Sequence, residues 1–232
     1  MTAMTGRRLL IFGRDPKPGR VKTRLIPALG AEGAAALYWR LLCGTLNHAR
    51  ATRADGYELW LDEAEPQDRL RTLAQALDVQ LRVQPAGDLG TRMHMALCDA
   101  LRHAETVVLI GSDCAVWPPG HIEAAFAALL RDDVVIGPAA DGGYLLIGLR
   151  QPQPALFEGI HWGDEQVLAE TRRRLRGQRL RWSELTVLRD LDRPSDLAHF
   201  TDLGDEPVTE PADPPLAILR GDTLCNGSTD NR

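Results

Sequence analysis

The sequence predicts an α/β fold, a mostly parallel, doubly wound sheet of about seven strands, on three observations. Short aliphatic or β-branched runs alternate with helical patterns four times along the chain, as strand–helix–strand crossovers require. Several of those runs end in loops rich in glycine and charge, where open α/β sheets bind ligands. The link between residues 138 and 144 is too short for a crossover, so one strand enters antiparallel there. A length of 232 residues, 44% of them hydrophobic, suffices for one sizeable domain with a full core.

Taken in order, Leu9, Leu10, Ile11 and Phe12 form the first strand, which reaches Gly13. Residues 31–50 read as a helix, with Leu37/Leu41 and Leu42/Leu46 at i,i+4 spacing. YELWLD (57–62) alternates as a strand. Pro66 opens a second helix that carries Leu70, Leu73 and Leu77 on one face. Residues 79–84 are the third strand and 88–104 the third helix, with Leu89, Met93, Leu97 and Leu101 inward. The β-branched run 106–110 ends at Gly111, and Pro118-Pro119 begins a helix with Ile122, Phe126 and Leu130 inward. VVIGP (134–138) and YLLIGL (144–149) are strands in quick succession, followed by a helix over 164–176 and a last strand over 185–188. Pro194 starts a closing helix through Ala198 and Phe200. From about Gly204 onward proline and acids dominate (EPVTEPADPP), so residues 1–203 are expected to form the folded domain and 204–232 a mobile tail.

Composition excludes several function classes. The formal net charge is -5 and the basic residues do not form a long stripe, which argues against nucleic acid as a partner. No apolar stretch approaches the ~20 residues of a membrane span. Arg7 and Arg8 precede only four strongly apolar residues, too few for a secretion signal. Cys43, Cys98, Cys114 and Cys225 make no C-x-x-C pair, which fits a reducing cytoplasm.

The loop after the first strand, GRDPKPGRVKTRL, carries Arg14, Lys17, Arg20, Lys22 and Arg24 against one acid, Asp15. Of 27 basic residues only Lys17 and Lys22 are lysines, and both lie here. Lysine is a compact point charge suited to phosphate, and arginine a planar fork suited to two phosphate oxygens. Pro16, Pro18 and Gly19 hold the backbone on a fixed path. The spacing matches neither a Walker A loop nor G-x-G-x-x-G. GSDCA (111–115) places Asp113 beyond a strand's carboxyl end, where a carboxylate holds Mg²⁺ or Mn²⁺; the competing role is a helix cap, less favoured because the helix starts later, at Pro118-Pro119. In GPAADGGYLLIGL, Gly142 and Gly143 let backbone approach a ligand or simply turn a hairpin, with Asp141 directed into a cleft. QPAGDLGTRM puts Asp88 and Arg92 at a helix mouth, where Arg92 calls for a nucleotide or acidic partner, or else pairs with Asp88 at the surface. Trp162, in FEGIHWG, suits either a sugar-stacking platform or plain packing. Cys114 has no nearby histidine to activate it, and Asp190 and Asp192 before Pro194 read as caps of the closing helix.

FGRDPKPGRVKTRL, AGDLGTRM, GSDCA, GPAADGGYLLIGL, FEGIHWG and DLDRPSDLAHF, in that order, resemble the bacterial glycosyltransferase-A-like proteins first catalogued as a domain of unknown function and often labelled rSAM-associated glycosyltransferases. The chain is similar more distantly to molybdenum-cofactor and 2-phospholactate guanylyltransferases. The resemblance spans roughly Leu9 to Phe200. It implies a nucleotide-diphospho-sugar transferase (GT-A-like) fold of three layers, α/β/α, with the first loop and the glycine–acid helix mouth around the nucleotide and Asp113 as metal ligand. Arg14 stands where the family usually has lysine, Ala115 where it has proline, and one acid where Asp-x-Asp is common.

Together these readings imply a cytoplasmic, metal-dependent transferase that acts on a nucleotide-activated donor. Glycosyl transfer from a nucleotide-diphospho-sugar to an unknown small-molecule acceptor ranks first. Nucleotidyl transfer from an NTP with release of pyrophosphate ranks second, and non-catalytic nucleotide binding third. Arg14, Gly19, Lys22, Arg24, Asp88 and Arg92 are expected around the nucleotide, and Asp113 on Mg²⁺ or Mn²⁺. Lys22 and Asp141 are the expected catalytic groups, and Gly142, Gly143 and Trp162 face the acceptor.

Overall fold

The computed structural model describes residues 6–199. The reading of 204–232 as a tail and of Phe200 as part of the closing helix lies outside them. Seven strands form one sheet: β1 (Arg7–Gly13), β2 (Gly56–Leu61), β3 (Gln80–Val83), β4 (Thr106–Gly111), β5 (Val134–Pro138), β6 (Tyr144–Leu149) and β7 (Trp182–Glu184). Their order is β3-β2-β1-β4-β6-β5-β7. Every pairing is parallel except those of β6, which runs antiparallel to β4 on one side and β5 on the other. The short 138–144 link makes β6 the single reversed strand, as its length requires.

Alternation along β1 explains the layers. Leu9 and Ile11 face one side and Leu10 and Phe12 the other, because successive strand side chains point to opposite faces. Leu9 and Ile11 pack with α1 (Ile26–Ala51), α2 (Asp68–Ala76) and α4 (His121–Ala128), through residues such as Leu42, Leu70 and Phe126. Leu10 and Phe12 pack with α3 (Leu89–Ala100) and α5 (Val167–Gly177), through Leu97 and Leu175. The result is the three-layer α/β/α arrangement.

Two elements differ from the sequence expectation. The last strand lies at Trp182–Glu184 rather than 185–188. Leu185 and Leu188 still donate their N–H groups to Ile136 O (2.8 Å) and Pro138 O (3.0 Å), but β5 ends at Pro138, which has no N–H to continue a ladder. The closing segment, Pro194–His199, is a 3-10 helix as far as it is described. A small cluster of Leu25, Leu37, Leu41 and fully buried Leu191 fastens this last stretch beside α1. Among the described residues no helix is long and apolar enough to cross a membrane.

Candidate active site

The loops that leave β1, β4 and the segment after β7 meet at the carboxyl ends of the parallel strands. A cleft of about 390 Å³ is lined there by Arg14, Lys22, Arg24, Arg92, Asp113 and Asp192, among others. Lys22 sits at its base in a left-handed conformation (φ 46°, ψ 42°), an unusual backbone for a non-glycine residue. That twist drives the side chain inward, so it is only 3% exposed. Its Nζ lies 3.1 Å from Asp113 Oδ1 and 3.9 Å from Asp192 Oδ1, without an aligned hydrogen bond to either. Arg24 pairs with the other oxygen of Asp192. The charged loop and the carboxylate past the fourth strand thus share one cleft.

Asp192 lines the cleft and is not the helix cap that its place before Pro194 suggests. The segment after β7 bridges to the metal loop, with Leu191 N–H donating to Asp113 O (3.2 Å) and Asp190 bridged to Cys114. Leu191 is buried, so the acids on either side turn away from the core. The capping is done by Asp196, whose Oδ2 accepts from Asp192 N–H (3.0 Å) and Arg193 N–H (2.6 Å). The available signal was the Asp-Leu-Asp alternation itself. Asp190 is half-buried, and burial first, then the charge of Asp141, raises its pKa.

A hidden brace joins the two loops. The Arg14 N–H donates to Tyr38 Oη (2.8 Å), and Tyr38 Oη lies 2.7 Å from Ser112 Oγ. Not all loop cations face the cleft freely. Lys17 is bound by Glu63 and by buried Asp15 (3.1 Å), and Arg20 by Glu63 (2.6 Å). Arg14 and Arg24 remain largely exposed, Arg14 within 3.8 Å of Asp62.

Other nominated residues stand apart from the cleft lining. Asp141 is exposed and accepts the Gly143 N–H at 3.0 Å. Gly142 (φ 91°) packs so closely on the 164–167 turn that a Cβ there would strike the Glu165 carbonyl. Gly19 lies exposed in the turn of the first loop. Asp88 caps α3, accepting from Thr91 N–H at 2.8 Å, and that bond lowers its pKa. Trp162 lies against Gly90 in the first turn of α3 and edge-on to Tyr144. Arg92 does line the cleft, but its partner is Gln84 Oε1 at 2.8 Å rather than Asp88. The Cys114 thiol is buried and donates to Val116 O, and burial pushes its pKa up to about 12, so it is no nucleophile.

Among the described residues no three His, Cys, Asp or Glu side chains form a ready-made metal cage. Two carboxylates, Asp113 and Asp192, nevertheless converge on a single positive charge, the Lys22 ammonium. One or two hard carboxylates completed by substrate phosphates are the usual donor set for Mg²⁺, so the residues present fit such an ion.

The sheet order, the reversed strand and the cleft at the strand ends define the nucleotide-diphospho-sugar transferase fold. The chain belongs to the DUF2064 family, described as uncharacterized protein conserved in bacteria, whose model matches residues 45–164. It is 31% identical to a protein from Desulfovibrio desulfuricans G20 assigned as a nucleotide-diphospho-sugar transferase, over 86% of this chain and 89% of that one, with a TM-score of 0.76. Rv0371c from Mycobacterium tuberculosis H37Rv shares the fold at 20% identity (87% and 100% covered, TM-score 0.53), and a complex of it with manganese has been solved. Glucosyl-3-phosphoglycerate synthase from Mycobacterium tuberculosis, solved with Mn²⁺ and UDP, shares it at 13% identity (85% and 75% covered, TM-score 0.51). No curated protein matches the chain.

Proposed function

We propose that this protein is a metal-dependent transferase that moves a glycosyl group from a nucleotide-diphospho-sugar to a small-molecule acceptor. The observation that carries the reading is the meeting of Lys22 with Asp113 and Asp192 in one cleft. Lys22, Arg24 and Arg14 take the diphosphate, as a point charge and two forks. Asp113 and Asp192 would hold Mg²⁺ or Mn²⁺, which acts as a Lewis acid on phosphate oxygens when bound. Asp141, whose charge is felt at Asp190, serves the acceptor side. Gly142, Gly143 and Trp162 support that side by fixing the hairpin and the helix mouth rather than by touching the cleft.

Lys17 and Arg20 are committed to Glu63 and Asp15, so among the loop cations the diphosphate falls to Arg14, Lys22 and Arg24. Incubation with Mn²⁺ and either nucleotide sugars or NTPs tests this: free nucleoside diphosphate supports glycosyl transfer. Pyrophosphate instead would make the protein a nucleotidyltransferase, and tight binding with no turnover a nucleotide-binding protein. Asp113→Ala is expected to abolish metal-dependent turnover with an unchanged melting profile, and a full-rate variant would defeat the assignment.

A further inference from the structure

A half-used guanidinium lines the same cleft as Asp113. Gln84 donates both amide hydrogens to main-chain carbonyls, at 3.0 Å to Gly13 O and 2.9 Å to Trp60 O. This fixes the amide with Oε1 toward Arg92, whose Nη1 donates to it at 2.8 Å. The other edge of the guanidinium, Nε with Nη2, has no acceptor among the described residues, although Nε is buried. A buried N–H without a partner is costly, so the edge calls for an occupant. At two other arginines the same edge is filled, whereas Arg69 Nε, over the Trp39 ring, is buried and unpaired as that of Arg92 is. Arg172 Nε and Nη2 grip Glu184 at 2.7 and 2.6 Å, and Arg173 grips Glu170 at 2.8 and 2.6 Å. Arg92 therefore presents a fixed fork for two acceptors side by side.

The surroundings select the kind of occupant. Phe12, Leu89 and Met93 line the cleft with Arg92, an apolar setting that suits the face of a flat ring better than a hydrated phosphate. Gln84 follows β3 and Asp113 follows β4, three inter-strand steps apart in the sheet order. The Gln84 side chain reaches back to Gly13 at the end of β1, and Arg92 lines the same cleft as Lys22, so one nucleotide can set its base at Arg92 and its phosphates at Lys22.

We infer that Arg92, oriented by Gln84, reads the nucleobase and selects one with two neighbouring acceptors on an edge: O6 and N7 of guanine, or O2 and N3 of cytosine. Adenine and uracil offer no such pair. The inference rests on the cleft being a nucleotide site, and the test separates the two ideas. The full chain is titrated calorimetrically with GDP, CDP, ADP and UDP, each with Mg²⁺. GDP or CDP is expected to bind about ten- to a hundredfold tighter than ADP and UDP, and the tighter of the two identifies the base. Arg92→Lys, which keeps the charge but loses the fork, should bring the four affinities within a few-fold. Arg92→Gln, whose amide pairs a donor with an acceptor, should shift preference toward ADP. Matched melting curves confirm that both variants fold. Equal affinities in the wild type, or a guanine or cytosine preference that survives in Arg92→Lys, would overturn base reading and leave the nucleotide site standing. Absence of binding by all four would remove both.

Discussion

Tyr38 shows how much one hydroxyl carries in this cleft. It lies on α1, far from either loop in sequence, yet its oxygen accepts the Arg14 N–H and lies in hydrogen-bond contact with Ser112. Burial raises the pKa of the phenol, so it stays protonated and shares a hydrogen bond with the Ser112 hydroxyl. The loop with the cations and the loop with Asp113 are thereby held at a fixed separation. Tyr38→Phe leaves the Arg14 N–H and the Ser112 hydroxyl without their partner, which costs about 1–3 kcal/mol. A melting temperature lower by roughly 2–10 °C is expected, measured by calorimetry. An unchanged melting temperature would show that the phenol is no brace. Nothing in the sequence marks this role, because a tyrosine among Leu37, Leu41 and Leu42 reads as core. Lys22 and Asp113 were legible, since a lone lysine pair in an arginine-rich chain and an acid after a buried strand each stand out locally. Asp192 was not, because an acid shortly before a proline reads as a cap until the neighbouring loop is seen beside it.

Pairings between elements decide which parts of the sheet tolerate acid. β7 is the outermost strand on its side, only three residues long, and joins the body through β5 and through the Arg172–Glu184 grip from α5. Arg172 holds the Glu184 carboxyl below its ordinary value of 4.5. A folded-state pKa lower than the unfolded one means the unfolded chain binds more protons between the two values. Stability from this pair is therefore fully present above about pH 4.5 and is lost as pH falls through the folded value. Glu184→Gln is expected to lower stability at pH 7 by about 1 kcal/mol or less. The difference from wild type should shrink on acidification below pH 4.5, read from melting curves over a pH series; a gap that widens would contradict the assignment. Sequence pattern placed this strand a few residues late for a physical reason. The aliphatic run Leu185–Leu188 looks more strand-like than Trp182–Glu184, but its would-be partner positions include Pro138, which cannot donate. By contrast β1 to β6 were legible, because each is a strongly apolar or alternating run bounded by glycine, proline or charge.

At the scale of the whole molecule, the loop cations that would meet a phosphate are matched by acids before any ligand arrives. Lys22, Arg24 and Arg14 contribute three positive charges, and Asp113, Asp192 and Asp62, each within ion-pair distance of one of them, contribute three negative ones. Those acids come from loops after β2, β4 and β7, so the balance is a product of the fold and could not be read from the cationic first loop alone. A nucleoside diphosphate entering this cleft brings a charge of about −3 at neutral pH to loop cations already matched by acids, near two carboxylates that repel it. A divalent ion shared by Asp113, Asp192 and the phosphates reverses that repulsion. Nucleotide and metal should therefore stabilise the protein together and weakly apart. With a nucleoside diphosphate at about a hundred times its dissociation constant, the stabilisation is roughly 2.7 kcal/mol. For a domain of this size that raises the melting temperature by roughly 5–10 °C in Mn²⁺. In EDTA the same nucleotide should give a small shift, and Asp113→Ala should give a small shift in either buffer. A nucleotide shift as large in EDTA as in Mn²⁺ would show that the loop cations alone bind the phosphates, and the paired carboxylates would then need another explanation.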